Sequence, residues 1–270
     1  MQLCELIRLA LEEDIGAGDI TTNSTIPKDA QSTAIIRAKQ DLVVYGHHVA
    51  QEVFSQMGCS YKALVAEGVL LASGTVVAEI SGPVRGLLTG ERLALNFMMR
   101  LCGIATHTFH TVQGLNPKMK VVDTRKTTPL LRELERSAVR CGGGGNHRFA
   151  LYDGILIKDN HIAACGSIAK AIQSAKANAH HLLKIEIEVE SLEQMEEAIA
   201  AGADVVMLDN MTNAELKEAV EQAAGRVLIE ASGNMNRQRL LEIQNLGIDV
   251  VSMGGLIHQA TWADLSMKMI

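Results

Sequence analysis

Between Val121 and His161 the chain reads VVDTRKTTPLLRELERSAVRCGGGGNHRFALYDGILIKDNH. That stretch holds seven Lys or Arg, two His and four consecutive glycines, in a chain whose formal net charge is −6. Cations clustered locally in an acidic protein suit a small anionic ligand, whereas a nucleic-acid surface needs a basic stripe or domain. Aromatic residues make up only 3% of the chain, which leaves few platforms on which bases could stack.

Three motifs divide the stretch. In DTRKTTP, Thr128 can cap a helix and Pro129 suits its first position, so a helix is predicted to start there. Arg125 and Lys126 then lie in the loop before a positive helix end, where charge and free backbone N–H groups stabilise an anion. Solvated loop charges are the plainer alternative. CGGGGNHR is neither a GxGxxG nor a Walker A sequence, so its glycines speak for positive φ and close backbone approach rather than for phosphate. Beside them, His147 and Arg148 present donors. Cys141 has no obvious activating partner and reads as a small buried residue. In IKDNH, Lys158 follows an apolar run and points to the same site, with Asp159, Asn160 and His161 as loop or helix-start hydrogen bonders. Arg132, Arg136 and Arg140 recur every four residues and predict a solvated or subunit-contacting face outside the site.

The elements that must position these motifs differ between the two halves. The first half opens with helical spacing at Leu3, Leu6, Ile7 and Ala10. Short strand-like runs broken by Gly and Pro follow, and then a helix-like ERLALNFMMRLCGIATHTFHTV. The second half alternates strands and helices. Strands are predicted at 119–123, 154–158, 184–189, 205–209, 227–231 and 249–253, and helices at 130–140, 168–177, 192–200, 214–223 and 237–246. This is the pattern of a parallel sheet with helices outside, in which chemistry gathers at the C-terminal strand ends. Those ends carry Arg125 and Lys126, Lys158, Glu188, Asp209, Ser232-Gly233 and Gly254-Gly255.

KIEIEVE alternates strictly, which predicts Ile185, Ile187 and Val189 under the helices and Glu186, Glu188 and Glu190 facing inward. Buried carboxylates need partners, for which Arg125, Lys126, Lys158 or a divalent cation qualify. A solvated edge strand is the alternative. Glu188 and Asp209 end neighbouring strands, a spacing suited to sharing Mg²⁺ or to acid–base work. HTFH is not an HExxH zinc motif. Five scattered cysteines without a CxxC pair fit a reducing cytoplasm. The amphipathic, acidic N-terminus is not a signal peptide, and no apolar run reaches the roughly 18–20 residues of a membrane span.

Taken together, LEEDIGAGDITT, GERLALNFMMRLCGIAT, DTRKTTP, GGGGNHR, IKDNH, IEVESLEQ, MLDN, EASGN and VSMGGLIH resemble the quinolinate phosphoribosyltransferases, the carboxylating nicotinate-nucleotide pyrophosphorylases. The resemblance runs over nearly the whole chain. It implies an α/β protein of type II phosphoribosyltransferase kind, with an N-terminal α/β sandwich over 1–105, an incomplete parallel α/β barrel over 106–257, and a helix at 258–270 that returns to the first domain. It implies a homodimer with a shared active site, or a ring of such dimers. The implied reaction, in NAD biosynthesis, joins quinolinate and phosphoribosyl pyrophosphate with Mg²⁺ and gives nicotinate mononucleotide, pyrophosphate and CO₂.

The implied roles follow residue by residue. Arg92, otherwise only a cation on an apolar helix, reaches a quinolinate carboxylate across the dimer. Arg125, His147, Arg148 and Lys158 bind the two carboxylates. Lys126 meets the donor or the developing charge. Glu188 and Asp209 hold the ribose hydroxyls and the Mg²⁺–pyrophosphate. Ser232, Gly233, Gly254 and Gly255 cradle the 5′-phosphate. Three positions depart from the family: Leu130 where Gly is usual, Cys102 where Ser is common, and Gly145 where a larger residue often stands. A molybdenum-transport-associated relative and a non-catalytic binder are the competing readings. The intact NHR and IKDNH motifs, and the retention of both Glu188 and Asp209, favour the enzyme.

Overall fold

Helical spacing of apolar residues sets the first element, α1 (Leu3–Ile15), which buries Ile7 and Leu11. The computed structural model describes residues 2–270. After α1 come α2 (Ile20–Thr25), β1 (Gln31–Ala38), β2 (Leu42–Val43), α3 (His47–Gln56), β3 (Ser60–Ala63), β4 (Leu70–Leu71), β5 (Val76–Pro83) and α4 (Val84–Val112). Then follow β6 (Lys120–Val122), α5 (Arg132–Cys141), β7 (Ile155–Ile157), α6 (Asp159–Cys165), α7 (Ile168–Asn178), β8 (Ile185–Val189), α8 (Leu192–Ala201) and β9 (Val205–Asp209). The last are α9 (Asn213–Ala223), β10 (Leu228–Ser232), α10 (Arg237–Ile243), β11 (Val250–Ser252), α11 (Gly255–His258) and β12 (Leu265–Met269).

The chain forms two units. The first runs to His110 and includes Thr128–Gly143 and Ala260–Ile270; the second comprises Thr111–Thr127 and Gly144–Gln259. The sequence predicts a cut after residue 105 with a return of residues 258–270; Ala260–Ile270 does rejoin the first unit, and Thr128–Gly143 joins it as well, which the sequence does not predict.

The first unit is built on an antiparallel sheet of order β12-β1-β5-β3. The C-terminal segment does return to this unit, but as strand β12 and not as the expected helix over 258–270; α11 ends at His258. LSMKM alternates, with Leu265 buried and Lys268 exposed, which is the period of a strand and not of a helix. Register against β1 runs from Ala34 with Met269 to Ala38 with Leu265.

A second correction concerns α5. It starts at Arg132, not at Thr128. Thr128 donates its N–H and hydroxyl to Glu135, both at 2.8 Å, and its carbonyl accepts from Leu131, so it forms a turn ahead of the helix and the cap position falls to Leu131. Glu135 is fully buried, and Arg100 neutralises it through Nε and Nη2 at 3.0 and 2.8 Å. This network explains why Thr128–Gly143 belongs to the first unit. Arg136 is also buried, at 4% exposure, so the arginine stripe is not a uniformly solvated face. Gly142, first of the glycine run, is sterically required, since a Cβ there would collide with the Ala105 carbonyl.

The second unit is a parallel six-stranded sheet of order β6-β11-β10-β9-β8-β7. Ser167, Ser191, Thr212 and Asn236 cap α7, α8, α9 and α10 by accepting the N–H three residues on. The helices cover the apolar face of β8, where Ile185, Ile187 and Val189 are buried. β8 lies between β7 and β9, so its acidic face is interior and not the face of an edge strand. Among the described residues, β6 and β7 do not pair, and the sheet stays an incomplete barrel; Gly145 bridges to Val122 at the β6 edge instead. No helix among the described residues is long and apolar enough to cross a membrane.

Leu130, at the position where the resemblance implies Gly, has φ +67° and is 77% exposed. A left-handed residue with a side chain costs about 1–2 kcal/mol, and Gly returns part of that through its greater unfolded-state freedom. Leu130→Gly should therefore stabilise the protein by about 0.5–1 kcal/mol in urea unfolding. Destabilisation would show that Leu130 makes packing contacts its exposure does not reveal.

Candidate active site

In a parallel sheet every strand ends at the same edge, and this edge collects the charged motifs. Lys126 follows β6, Lys158 follows β7, Glu188 is in β8, and Asp209 and Ser232 end β9 and β10. A cavity of about 440 Å³ is lined by these five residues and by Gly233, Gly254 and Gly255. A second cavity, about 310 Å³, is lined by Arg125, His147 and Arg148 beside the apolar Leu156 and Met207. Lys126 and Lys158 line both, together with Thr124, Ser232 and Ser252. Every candidate residue except Arg92 therefore lies around two cavities with a common wall. Arg92 is an exposed residue of α4 and lines neither.

The NHR loop is held from below. Asp123, fully buried, accepts from Asn146 Nδ2 at 2.6 Å and from the His147 N–H at 3.0 Å. Arg148 donates from Nη1 to the Gly154 carbonyl at 2.8 Å. Burial, and then the charge of Arg125, pulls the Arg148 guanidinium below its ordinary value. A cation so placed is relieved by an incoming anion. Lys158 pairs with Glu188. Its backbone N–H donates to His161 Nδ1 at 3.0 Å, so His161 supports the start of α6 rather than the cavity wall.

His147 differs from the expected carboxylate ligand. Nδ1 accepts from the Arg148 N–H at 2.8 Å. Nε2 lies 3.2 Å from Glu186 and 3.5 Å from Glu230. Both ring nitrogens thus have partners within the protein, and the ring steadies Arg148 through its backbone. Burial disfavours the charged ring, but Glu186 and Glu230 outweigh it and push the imidazole up to about 10. Burial also raises the Glu186 carboxyl, with Glu230 beside it. Both shifts favour extra protons in the triad; charging the ring puts N–H on both nitrogens, so the Arg148 N–H to Nδ1 contact belongs to the neutral ring, whose proton sits on Nε2 facing the carboxylates. Glu230 is missing from the sequence-derived site; its signal is a lone charge inside the apolar strand VLIEA, where only a buried partner can accommodate it.

Among the described residues, His147, Glu186 and Glu230 are the one group of three with donor atoms close enough to hold an ion. An ion on Nε2 would need the other ring nitrogen to carry the proton, yet Nδ1 accepts one, so the triad is a proton-sharing contact. Glu188 and Asp209 form a different donor set. They line the larger cavity with oxygens only, which suits a hard cation that keeps water and phosphate ligands.

Residues 19–102 match the family described as quinolinate phosphoribosyl transferase, N-terminal domain, and residues 104–268 match its C-terminal domain. The chain belongs to the quinolinate phosphoribosyltransferase family. It is 43% identical over 272 residues to the probable nicotinate-nucleotide pyrophosphorylase (carboxylating) of Bacillus subtilis, with 100% of this chain and 94% of that one covered. It is 36% identical over 288 residues to quinolinate phosphoribosyltransferase (decarboxylating) 2, mitochondrial, of Nicotiana glauca, at 99% and 82% coverage. The crystal structure of NadC from Streptococcus pyogenes superposes with a TM-score of 0.96 at 45% identity, covering 100% of this chain and 96% of that one. For a quinolinate phosphoribosyltransferase family member, the paired cavities supply a cationic wall and a carboxylate-and-glycine wall that meet at two lysines.

The His147 triad has a consequence for stability. An unfolded histidine titrates near 6.5, while the folded ring titrates near 10. The folded state therefore binds more protons between these values, and stability falls as pH rises through them. The contribution is fully present below pH 6.5 and lost above about pH 10. Urea unfolding of wild type and His147→Gln across pH 6–10 should show a falling difference between the two; a constant difference would mean that the ring is not the group holding the proton.

Proposed function

We propose that the chain transfers the phosphoribosyl group of phosphoribosyl pyrophosphate to the ring nitrogen of quinolinate, with loss of one carboxylate as CO₂. The products are nicotinate mononucleotide, pyrophosphate and CO₂, and the reaction serves NAD biosynthesis. The observation that carries the reading is the pair of cavities sharing Lys126 and Lys158. One wall suits a dianionic acceptor and the other a polyphosphate donor, so the acceptor nitrogen and the sugar carbon can meet at the common wall.

Quinolinate carries two carboxylates. Arg125, Arg148 and Lys158 would take them, since guanidinium–carboxylate pairs fix orientation as well as charge. His147 would act by holding Arg148. In the donor cavity Glu188 and Asp209 would face the ribose hydroxyls, and a carboxylate there favours the positive charge that builds on the sugar as pyrophosphate leaves. Backbone N–H groups of Ser232, Gly233, Gly254 and Gly255 would receive the 5′-phosphate. Once the nitrogen is alkylated, the adjacent carboxylate departs as CO₂, its bonding electron pair stays on the ring carbon, and that carbon takes a proton. Cationic charge from Lys126 and Lys158 stabilises this carbanion.

Glu188 and Asp209 would hold Mg²⁺ together with donor oxygens and water. Bound there, Mg²⁺ supplies charge neutralisation for the leaving pyrophosphate. The five free cysteines fit a reducing cytoplasm. Arg92 would act on the acceptor of a partner subunit, in a homodimer or a ring of dimers. Its helix supports this: Leu93, Phe97 and Leu101 line an apolar hollow of about 180 Å³ with Leu131, Leu134 and the half-exposed Trp262. Apolar surface of this kind is what a subunit interface buries.

Release of ¹⁴CO₂ from carboxyl-labelled quinolinate should require both phosphoribosyl pyrophosphate and Mg²⁺ and stop with EDTA. Folded protein that releases none would overturn the reading in favour of the molybdenum-associated relative or a binding role. Arg92→Ala and Lys158→Ala should each be inactive alone and regain activity when mixed under conditions of subunit exchange. Absence of recovery despite proven exchange would rule out the shared site.

A further inference from the structure

The loops after β9 and β10 are tied to each other by side chains that the reaction described above does not use. Asn210 donates from Nδ2 to Asp209 Oδ2 at 2.6 Å, and its N–H donates to the Ser232 carbonyl at 3.1 Å. Asn234 donates from Nδ2 to Asn210 Oδ1 at 3.3 Å. Asn210 and Asn234 both adopt left-handed backbone, at φ +56° and +49°, a conformation asparagine tolerates better than most residues. Gly233 leaves the space: a Cβ there would overlap the Asn210 side chain.

Arg239 of α10 closes the arrangement from outside the cavity. Nε donates to Asn213 Oδ1 at 3.1 Å, Nη1 donates to the Gly233 carbonyl at 2.8 Å, and Nη2 donates to the Met211 carbonyl. One planar guanidinium therefore spans both loops, which a lysine with its single nitrogen cannot do. The loop on one side carries Asp209. The loop on the other carries the Ser232–Gly233 backbone. Both border the larger cavity.

We propose that Arg239 and Asn210 are positioning residues for the donor substrate, fixing the separation between Asp209 and the Ser232–Gly233 backbone so that one sugar phosphate can engage both. The proposal rests on the assignment of the larger cavity to the phosphoribosyl donor. A ribose 5-phosphate has a nearly fixed reach from phosphate to ring hydroxyls. Two binding elements from separate loops serve it only if their spacing is set in advance, and a misplacement of about 1 Å costs on the order of 100-fold in such sites. The acceptor cavity shares Ser232 but is lined by neither Asn210 nor Arg239, so the clasp bears on donor affinity far more than on acceptor affinity.

The test is steady-state kinetics of Arg239→Met, Arg239→Lys, Asn210→Gly and the Arg239→Met/Asn210→Gly double variant, with thermal melting as a check on folding. Asn210→Gly keeps the left-handed backbone and removes only the amide of an exposed residue, so it remains informative if an Arg239 variant misfolds. The KM for phosphoribosyl pyrophosphate should rise about 10-fold or more, while the KM for quinolinate stays within about 2-fold. Arg239→Lys should not restore donor affinity. The double variant should cost little more than the worse single one, because both residues serve one unit. An unchanged donor KM in Asn210→Gly, equal rises in both KM values, or full rescue by lysine would overturn the proposal. Wild-type protein that turns over quinolinate keeps the donor assignment intact whichever way the variants behave; wild-type protein that does not removes the assignment and the clasp with it.

Discussion

Arg125, Lys126, Arg148 and Lys158 share the wall of one cavity, and their mutual repulsion is the constraint around which the second unit is organised. Four like charges at close range oppose their own assembly, and burial of Arg148 adds to the cost. The fold answers with carboxylates set behind the cations. Glu188 pairs with Lys158. Asp123 holds the loop that presents Arg148. Glu186 and Glu230 hold the ring that supports the Arg148 backbone. These acids neutralise the wall without filling it, so the cations stay available to an anion.

A parallel sheet is well suited to this task. Each strand presents alternate residues to the interior, and each ends at the same edge. β8 uses both properties: Glu186 lies inside with His147, and Glu188, two residues on, reaches the wall with Lys158. The helices outside need no further adaptation. Ser, Thr or Asn caps four of them, and apolar residues on β8 pack beneath. Among the described residues of the second unit, the non-glycine residues with positive φ are Ala224, which ends α9, and Asn210 and Asn234, both in loops at the chemical edge. Such departures are expected where geometry serves a ligand rather than the fold.

Most of the architecture was legible in the chain. β9 matches its predicted span at both ends, and the other barrel strands are shifted or trimmed by only a residue or two, because apolar runs bounded by capping residues are local signals. The errors have non-local causes. Thr128 looks like a cap, but contacts to Glu135, seven residues on, hold it in a turn before the helix. The C-terminal segment becomes a strand because β1 offers it an edge, and no local pattern reveals an edge contributed by residues more than two hundred positions earlier. The short α6 escaped because IKDNH carries no apolar period at all.

Interior polar residues escaped for a deeper reason. Composition marks a charged residue as exposed unless a partner is known, and a partner in a barrel comes from another strand. Glu230 and His147 are 83 positions apart in the chain and 3.5 Å apart in space. Arg100 and Glu135 are separated by 35 positions and joined at 2.8 Å. The cavity-facing cations, by contrast, were legible because their partner is a ligand: no protein anion nearby in sequence accounts for Arg125, Lys126 and Arg148 together. A charge that sequence leaves unexplained thus has two sources, a distant strand or a bound molecule. Here the distinction is visible in exposure, for Glu230 is 3% exposed and Arg125 and Lys126 open to solvent at the rim. Buried charges of this second unit keep the wall standing, and the exposed ones wait on the substrate.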